Sequence, residues 1–550
     1  MRISSNDFLK YFLLAFFIIY FFIGSFVYKD YGITTDEEFQ RYSGFFWLEY
    51  ILGFTPFENL KILVGEKLNS IEGFTLPNPA DFPFYGVIFD LPLALIETLL
   101  GIEKSKDYFF LRHFFNFGIF FVSSIYFFFI LKDRFNNYLI PMFGLFLYVG
   151  SPRIFGDSFF NNKDIVFLSL ITIAIFYSFK LLNAFNWKNI ILFSIFSAIA
   201  TSSRILGIFL PASIIAIIFF EMLDKKLNFN NLKKIILLIL VFFIFLIILW
   251  PYLWTNPIIN FLNAFSIFSN YIIDIEFLFN GDFISSKSLP LSYLPIWIFI
   301  STPIIIIFLF VIGYGLYGKI FSSRLINIEN NKDNNLWINN YEKKDFFMFF
   351  NLSIILIFLI LSDVVLYNGW RQVYFLNVFL IYFATYGIHG LFSNFKFFKK
   401  FSKGIYFVIS ILIINIYVEI YRTHPFQSLY FNKFFTSNAN EKFEVDYWGL
   451  SGRKFFNEVI SLEKKNLINI GVASWIPLER SLALFDLPMK NRFNIVGQDY
   501  DKAHYIFSNN ITEINKKINN KYEIPNNFIK IGELTIRNSV VYTIYKNKNL

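Results

Sequence analysis

The chain has 550 residues, of which 56% are hydrophobic and only 16% are charged. A soluble domain usually carries about a quarter of charged residues, and it could not bury so large an apolar fraction. The composition therefore excludes an ordinary soluble enzyme and predicts an integral membrane protein surrounded by lipid. The absence of cysteine excludes disulfides, thiolate metal sites and a cysteine nucleophile.

Apolar runs long enough to cross a bilayer recur along the chain, and they predict about eleven helical spans. The predicted spans cover 11–28, 108–131, 137–152, 165–183, 189–202, 205–223, 235–253, 291–317, 346–366, 373–392 and 405–421. The first run lacks a small-residue cleavage site, so we expect a retained helix and not a removed signal peptide.

The net charge of +9 comes mainly from short Lys/Arg tracts between apolar runs. The tracts lie at 132–134, 180–188, 224–234, 319–344 and 396–403. With the N-terminus in the cytoplasm, every tract falls on the cytoplasmic side, as the positive-inside rule requires. We therefore expect a protein of the bacterial inner membrane whose C-terminus is periplasmic. Its surroundings are membrane lipids, and no nucleic-acid partner is expected.

Three predicted outward connections are too long or too distinctive in sequence to be simple turns. They cover 29–107, 151–164 and 254–290. The first contains amphipathic stretches that suit helices lying in the membrane interface, at 37–52, 57–68 and 84–100.

The last part of the chain, 422–550, has no spanning run. Short strands are predicted at 468–475 and 503–510, with a hairpin over 528–546 that turns at Arg537 and Asn538. The predicted fold is thus an α-helical polytopic membrane domain, 1–421, followed by a small C-terminal α/β domain outside the membrane, 422–550.

Two acidic residues follow the first span, in the sequence TTDEEFQRY. Thr35 and Glu38 match a capping box, which predicts that a helix starts here. Asp36 and Glu37 would lie in its first turn, where the helix dipole favours the ionised carboxylate that a general base needs. The alternative is that these acidic residues only occupy the first turn of a helix, as is common, and have no catalytic role.

The second cluster comprises Arg153, Asp157, Lys163 and Asp164, in the segment SPRIFGDSFFNNKD. Asp164 directly precedes an apolar run, and ionisable groups so close to hydrocarbon are costly and often functional. Interfacial anchoring and helix capping are the alternative explanation.

The third cluster is LYNGWRQVYFL, in which Trp370, Gln372 and Tyr374 surround Arg371. A guanidinium can hold a phosphate through two parallel hydrogen bonds, whereas an aromatic belt with one snorkelling arginine is the alternative. Arg204 is a weaker candidate for the same role.

Taken together, the clusters suit glycosyl transfer from a lipid phosphate. The phosphate is already a good leaving group, so one carboxylate base and a cation that offsets the phosphate charge are sufficient. The four histidines, His113, His389, His424 and His504, are scattered and form no zinc motif. We expect no metal site and no required cofactor, although a divalent cation is left open.

These motifs resemble those of the polytopic glycosyltransferases of family 39 and their relatives. That group includes protein O-mannosyltransferases, the aminoarabinose transferase of lipid A, and bacterial proteins similar to dolichyl-phosphate-mannose protein mannosyltransferases. The resemblance covers roughly residues 11–450, and it includes HPFQSLYFN at 424–432 and DYWGLS at 446–451.

The resemblance implies the C-type glycosyltransferase fold, an inverting reaction and a polyprenyl-phosphate-linked sugar donor. It assigns the catalytic base to Asp36, a second acidic role to Asp164 and the carrier phosphate to Arg371. The chain departs from the family pattern at Asp157 and Gln372, where relatives tend to have His, and at Asn162, where they tend to have Pro.

The acceptor stays open, because the hydroxyl of a protein, a lipid or a polysaccharide would serve. A transporter or flippase of lipid or glycan is the main alternative. Transporters usually show internal repeats and charges near the membrane midplane, whereas the charged candidates here gather at one predicted face.

Overall fold

The computed structural model describes residues 5–71, 76–223, 231–269, 274–329, 336–361, 364–394, 396–434, 439–511 and 519–549. Part of the predicted basic tract 224–234, including Lys225 and Lys226, lies outside these residues.

Helices account for most of the described chain. They are α1 (Ser5–Val27), α2 (Glu37–Leu52), α3 (Glu58–Ile71), α4 (Asp90–Leu99), α5 (Ser105–Phe135), α6 (Leu139–Val149), α7 (Pro152–Phe160), α8 (Asp164–Asn183), α9 (Trp187–Ser203), α10 (Phe209–Leu223), α11 (Leu232–Leu249), α12 (Pro257–Ser269), α13 (Tyr293–Ser301), α14 (Ile304–Glu329), α15 (Asn340–Leu361), α16 (Leu376–Asn394), α17 (Lys396–Lys400), α18 (Ser402–Arg422), α19 (Ala439–Lys442), α20 (Gly452–Leu462) and α21 (Leu487–Lys490). The strands are β1 (Glu276–Phe279), β2 (Asp282–Ser285), β3 (Ile468–Val472), β4 (Phe493–Gly497), β5 (Tyr505–Ser508), β6 (Phe528–Ile536) and β7 (Ser539–Asn547).

The predicted polytopic helical architecture is confirmed, although the number of spans differs from the expected eleven. Within the described ranges, nine helices are long and apolar enough to cross a membrane, and α6 with α7 makes a tenth if that pair, bent by 61°, is one span. The remaining predicted span is α9, which has only 17 residues and falls short of the same criterion.

Helix α9 nevertheless runs antiparallel to α8 along its length. At one end Asn189 donates to the carbonyls of Lys180 and Ala184, at 2.9 and 2.8 Å. At the other end Arg204, which follows α9, is ion-paired with Asp164 at the start of α8. The two helices therefore cover the same thickness of the bundle.

Alternate connections meet at the same end of the bundle. The start of α2, the start of α8, the end of α9 and the turn before α16 come together at what we call the site end. The end of α5 and the start of α15 meet at the opposite end, where Arg134 pairs with Asp345. Helices α2, α3 and α4 form on the three predicted amphipathic stretches of the first connection, at the site end.

The C-terminal part contains the predicted sheet, in the order β4-β3-β5-β7-β6. Strand β3 is parallel to β4 and β5, whereas β7 is antiparallel to β5 and β6. Arg537 and Asn538 connect β6 to β7 with φ values of 50° and 70°, so the hairpin turns where the sequence predicts it.

The sheet is attached to the helical bundle through this hairpin. Arg537 pairs with Glu419 near the end of α18 at 3.2 Å, and it donates to the carbonyl of Phe431 at 2.6 Å. Asn440 exchanges two hydrogen bonds with the backbone of Val540, at 2.6 and 2.8 Å. The division of the chain into domains at residue 421 stays a prediction.

Candidate active site

The segment after α1 places Asp36 at the N-terminus of α2, so the predicted helix start is confirmed. The predicted capping box is wrong, because Asp36 and not Thr35 is the N-cap residue and its side chain makes no capping hydrogen bond. Instead, Glu37 accepts a hydrogen bond from the backbone of Thr34 at 2.8 Å. The Asp36 carboxylate is thereby left for other partners, and these partners come from distant helices.

Five charged residues meet at the site end, and we call them the site cluster: Asp36, Lys163, Asp164, Arg204 and Arg371. Lys163 and Asp164 begin α8, Arg204 follows α9, and Arg371 lies in a short 3-10 turn before α16. Four segments, far apart in the sequence, therefore supply one set of ion pairs.

Arg371 stands at the centre of the site cluster. Its Nη1 lies 3.1 Å from Oδ2 of Asp36 and 3.6 Å from Oδ2 of Asp164. One guanidinium nitrogen is thus shared between two carboxylates, which is weaker than a bidentate pair with one of them. Lys163 adds a second cation 3.4 Å from Asp36, and Arg204 is paired with the other oxygen of Asp164.

Two forces act on the pKa of the Asp36 carboxyl. Burial alone would raise this pKa, but the charges of Lys163 and Arg371, with their hydrogen bonds, hold it well below its ordinary value. For Arg371 the order is the same: burial lowers the pKa of the guanidinium, and the opposing charge of Asp36 raises it well above its usual value. Both groups are therefore ionised at neutral pH.

The two arginines of the site cluster keep hydrogen-bonding capacity. Nε of Arg371 and Nε of Arg204 are buried, and neither donates to any protein group in the described part of the chain. A buried donor without an acceptor costs about 1–3 kcal/mol, so such groups usually mark a place where water or a ligand binds. The site cluster is thus able to accept an additional anion.

An apolar cleft of about 590 Å³, including its open mouth, borders the site cluster at Arg204. Its lining residues are Phe84, Tyr85, Arg204, Ile205, Leu206, Phe268, Val364, Val365, Leu366, Tyr367, Gln372 and Val373. Tyr85 joins the two environments, because its ring lines the cleft and lies 4.2 Å from Nζ of Lys163. The cleft thus combines an apolar surface with one cation, Arg204, in its wall and a second, Lys163, behind Tyr85.

The structure does not bring Glu37 to the site cluster. Its carboxylate bonds to Nε2 of His113 at 2.8 Å and is 1% exposed. His113 comes from α5 and also contacts the backbone oxygen of Tyr28 at 3.2 Å. Glu37 therefore fastens the loop after α1 to α5, and we leave it out of the proposed chemistry.

Arg153 and Asp157 are buried away from the described ion pairs of the site cluster. Nε of Arg153 donates to the carbonyl of Tyr430 at 2.8 Å, and its guanidinium lies 4.7 Å from the Phe431 ring. Asp157 accepts a hydrogen bond from Asn161 at 3.2 Å, and the same amide donates to Asp164 at 2.9 Å. Asp157 thus stands behind Asp164, linked to it through one asparagine.

The predicted site residues around Arg371 lie in different surroundings. Trp370 is buried and donates to the hydroxyl of Ser301 at 2.8 Å, while Tyr374 packs edge-on against the Trp370 ring. Gln372 lines the cleft, and its backbone carbonyl accepts a hydrogen bond from Arg204 at 2.9 Å. Trp370 and Tyr374 therefore support the turn, whereas Gln372 faces the space beside the site cluster.

Sequence reasoning missed Asp90, at the start of α4. It is buried beside Lys163 and accepts a hydrogen bond from Asn162 at 2.8 Å. With its amide nitrogen turned toward Asp90, Gln40 donates to Asp90 at 3.1 Å and accepts from Lys163 at 3.2 Å. Burial raises the pKa of Asp90 to about 7 against the opposing effects of Arg112, Lys163 and Asn162. The sequence signal was an acidic residue inside the predicted amphipathic stretch 84–100.

No group of three or more His, Asp or Glu side chains is arranged to hold a metal ion among the residues that the structure describes. The carboxylates of the site cluster face cations of the protein instead. The independence of the chain from a cofactor stays a prediction.

No protein-family model matches the chain, and no curated protein matches it. Solved structures do show similarity. ArnT from Cupriavidus metallidurans in the apo state is 10% identical over 90% of this chain and 86% of its own, with a TM-score of 0.43. The form of that protein bound to undecaprenyl phosphate has the same identity and coverage and a TM-score of 0.41.

The Archaeoglobus fulgidus oligosaccharyltransferase in its apo form is also similar. It is 12% identical over 92% of this chain and 70% of its own, with a TM-score of 0.47. At these values we draw nothing about the activity or the ligands of this chain from either likeness.

Proposed function

We propose that the chain is a membrane glycosyltransferase that moves a hexose-type sugar from a polyprenyl-phosphate donor to a hydroxyl acceptor. The observation that carries this proposal is an apolar cleft with Arg204 in its wall, beside the cluster of three cations and two carboxylates to which Arg204 belongs. When all five groups are ionised, the cluster has one surplus positive charge. An amphipathic anion with a long hydrocarbon chain fits these surroundings.

The two arginines are the proposed holders of the phosphate. The guanidinium groups of Arg371 and Arg204 each keep a buried Nε–H without a protein acceptor among the described residues. A phosphate oxygen accepts such hydrogen bonds strongly, since donor and acceptor are both charged. Lys163 adds a third cation that offsets the charge growing on the departing phosphate.

Asp36 is the proposed general base because it is the accessible carboxylate of the site cluster. Its side chain is 29% exposed, whereas that of Asp164 is fully buried. In the proposed step Asp36 takes the proton of the acceptor hydroxyl, whose oxygen forms a bond to the anomeric carbon. The bond from that carbon to the phosphate oxygen breaks, and polyprenyl phosphate leaves with the electron pair. A single displacement of this kind inverts the anomeric centre.

The depressed pKa of Asp36 would make it a weak base if its ion pair with Arg371 persisted. A donor phosphate that binds Arg371 competes for the same guanidinium and brings negative charge close to Asp36. Both effects raise the pKa of the carboxyl. We infer that donor binding strengthens the base at the moment when the acceptor needs it.

The proposed orientation puts the site end on the non-cytoplasmic side of the bacterial inner membrane. The basic tract 132–134 supports this, because it lies at the opposite end of the bundle, where the positive-inside rule places the cytoplasm. The acceptor is a hydroxyl of a protein, a lipid or a polysaccharide. The rival function, lipid or glycan transport, becomes an outcome of the test.

The test compares Asp36→Asn with the wild type, both purified in detergent and returned to lipid vesicles. The substrates are undecaprenyl-phosphate-linked hexoses with extracts of cell-envelope acceptors, and mass spectrometry measures released undecaprenyl phosphate and glycosylated product. We expect Asp36→Asn to lower transfer per folded molecule at least about 100-fold, the size of a general-base contribution.

Asp107→Asn is the matched control, because Asp107 is exposed at the same end of the bundle and should transfer like the wild type. Normal transfer by Asp36→Asn would overturn the base assignment. Translocation of fluorescent lipid by the wild type in the absence of any transfer would overturn the enzyme proposal in favour of transport.

A further inference from the structure

The sequence DYWGLS, which follows the last span, reaches the centre of the site cluster. Trp448 is only 2% exposed, and its ring lies 4.4 Å from the guanidinium carbon of Arg371. The Tyr367 ring lies 4.9 Å from the same carbon. An arginine held against aromatic faces is attracted to them and loses freedom to rotate. A residue beyond α18 therefore contributes to the orientation of Arg371.

The position of Trp448 is fixed by a tight turn. The carboxylate of Asp446 accepts hydrogen bonds from the backbone of Leu450, at 3.1 Å, and from the hydroxyl of Ser451. Gly449 has φ of +73°, a conformation that strongly favours glycine, and a Cβ there would lie 2.6 Å from Ile476. The turn is built so that the indole can project toward Arg371.

A second contact from the same part of the chain reaches the Asp36 segment. Arg480 donates a hydrogen bond to the backbone carbonyl of Thr35, and its Nε lies 3.8 Å from Glu38. The turn itself touches the loop before Asp36, since a Cβ on Gly32 would lie 2.3 Å from the carbonyl oxygen of Leu450. The residues on either side of Asp36 are thus held from outside the helical bundle.

We propose that Trp448 and Arg480 are positioning residues of the active site, so that the C-terminal part of the chain is required for the reaction. Trp448 keeps the plane of Arg371 in an orientation that shares Nη1 between two carboxylates and leaves Nε available to the donor phosphate. Arg480 fixes the backbone from which the Asp36 carboxylate projects. This inference rests on the proposed function.

Trp448 and Arg480 should affect different kinetic constants, because they position different groups. Loss of Trp448 frees the group that holds phosphate, so Trp448→Leu should raise KM for the undecaprenyl-phosphate-linked donor about tenfold, within the range of a cation–π contact. Trp448→Phe should restore most of this loss. Arg480→Gln should instead lower kcat about tenfold with KM for the donor nearly unchanged, because it displaces the base and not the phosphate holder.

Matched controls lie in the same part of the chain. Trp475 is 54% exposed, and Trp475→Leu should leave both constants unchanged. Arg492 bonds only to the backbone of Glu463 and Lys465 among the described oxygen acceptors, so Arg492→Gln controls for loss of a surface arginine. Each variant is measured as full-length protein in vesicles, with its melting temperature.

The outcomes separate this inference from the function on which it rests. An active wild type together with normal kinetics of Trp448→Leu and Arg480→Gln would overturn the inference alone. Equal losses of kcat in both variants, without rescue by Trp448→Phe and with lowered melting temperatures, would also overturn it, since only folding would then be affected. A wild type that transfers no sugar from any donor would overturn the proposed function, and the inference with it.

Discussion

The charged groups at the two ends of the helical bundle are paired in different ways. At the opposite end, Arg134 makes a bidentate pair with Asp345, at 2.7 and 2.6 Å, and Tyr382 donates to the same carboxylate at 2.6 Å. At the site end, Arg371 divides one nitrogen between Asp36 and Asp164 at longer distances. The first arrangement uses the fork geometry of arginine fully, whereas the second does not.

This difference separates the Arg134–Asp345 pair from the site cluster. Buried charges that only stabilise a fold should satisfy each other, because an unmatched buried charge is costly. The site cluster keeps unmatched donors, and one of its arginines, Arg204, lines a cleft. The contrast leads to four predictions, which we give from the largest expected effect to the smallest.

Removal of Arg371 should have the largest effect. We expect Arg371→Ala to lower transfer by about 100- to 1,000-fold, the loss typical of removing a preorganised donor that stabilises developing charge. Arg371→Lys should recover only part of it, because an ammonium does not reproduce the guanidinium fork. Steady-state transfer in vesicles measures both variants, and equal activity of Arg371→Lys and the wild type would contradict the role of the fork.

Removal of Asp345 should affect stability and not transfer. Asp345→Ala leaves the half-buried Arg134 without its carboxylate, so the free energy of unfolding should fall by about 3 kcal/mol. The rate of transfer per folded molecule should stay within about twofold of the wild type. Thermal unfolding in detergent and active-fraction kinetics test this together, and a loss of transfer at full stability would remove the distinction between the two ends.

A ligand should stabilise the wild type only through the site end. Undecaprenyl phosphate at 100 times its Kd should increase the free energy of unfolding by about 2.7 kcal/mol. The increase should disappear in Arg371→Ala and persist in Lys343→Ala, which removes a cation paired with Glu221 at the opposite end. Melting curves with and without the lipid measure it, and stabilisation that survives in Arg371→Ala would place the lipid elsewhere.

The smallest expected effect concerns Asp90, whose pKa is raised to about 7 mainly by burial. An unfolded aspartate titrates near 3.9, so the stabilising contribution of the neutral carboxyl is complete below that pH and is lost as pH rises to about 7. Asp90→Asn should therefore gain about 2.6 kcal/mol relative to the wild type between pH 5 and pH 8. Melting temperatures at both pH values measure this gain, and an equal difference at the two pH values would contradict the raised pKa.

The helices were well predicted from the sequence because lipid imposes a simple rule on each segment separately. A run of about 20 apolar residues must satisfy its backbone internally, and a helix does so without help from other segments. Helix α9 also forms where the sequence predicts it, but it contains the polar residues Ser194, Ser197 and Thr201 and has a short apolar stretch. Neighbouring helices bury these hydroxyl groups, and that burial depends on how the helices pack.

The candidate site was predicted only in part, because a sequence shows the type of a residue but not its partners. Asp36 and Glu37 are adjacent and equivalent by pattern, yet one faces Arg371 and the other His113. Successive side chains of a helix point in different directions, so Asp36 and Glu37 meet different neighbours. Those neighbours decide the role of each carboxylate. Asp90 was missed for the same reason, since its partners Asn162 and Gln40 lie in other segments.

The sequence by itself determined three properties of this chain. Most of it lies in lipid, its helices occupy the predicted segments, and its charged candidate site residues share one face of the membrane. These properties follow from hydrophobic runs and charge placement, which act locally. Only the tertiary structure decided that Asp36 meets Arg371 across 335 positions and that Trp448 contacts the same guanidinium. Such contacts depend on how separate helices pack, and packing is a property of the whole chain.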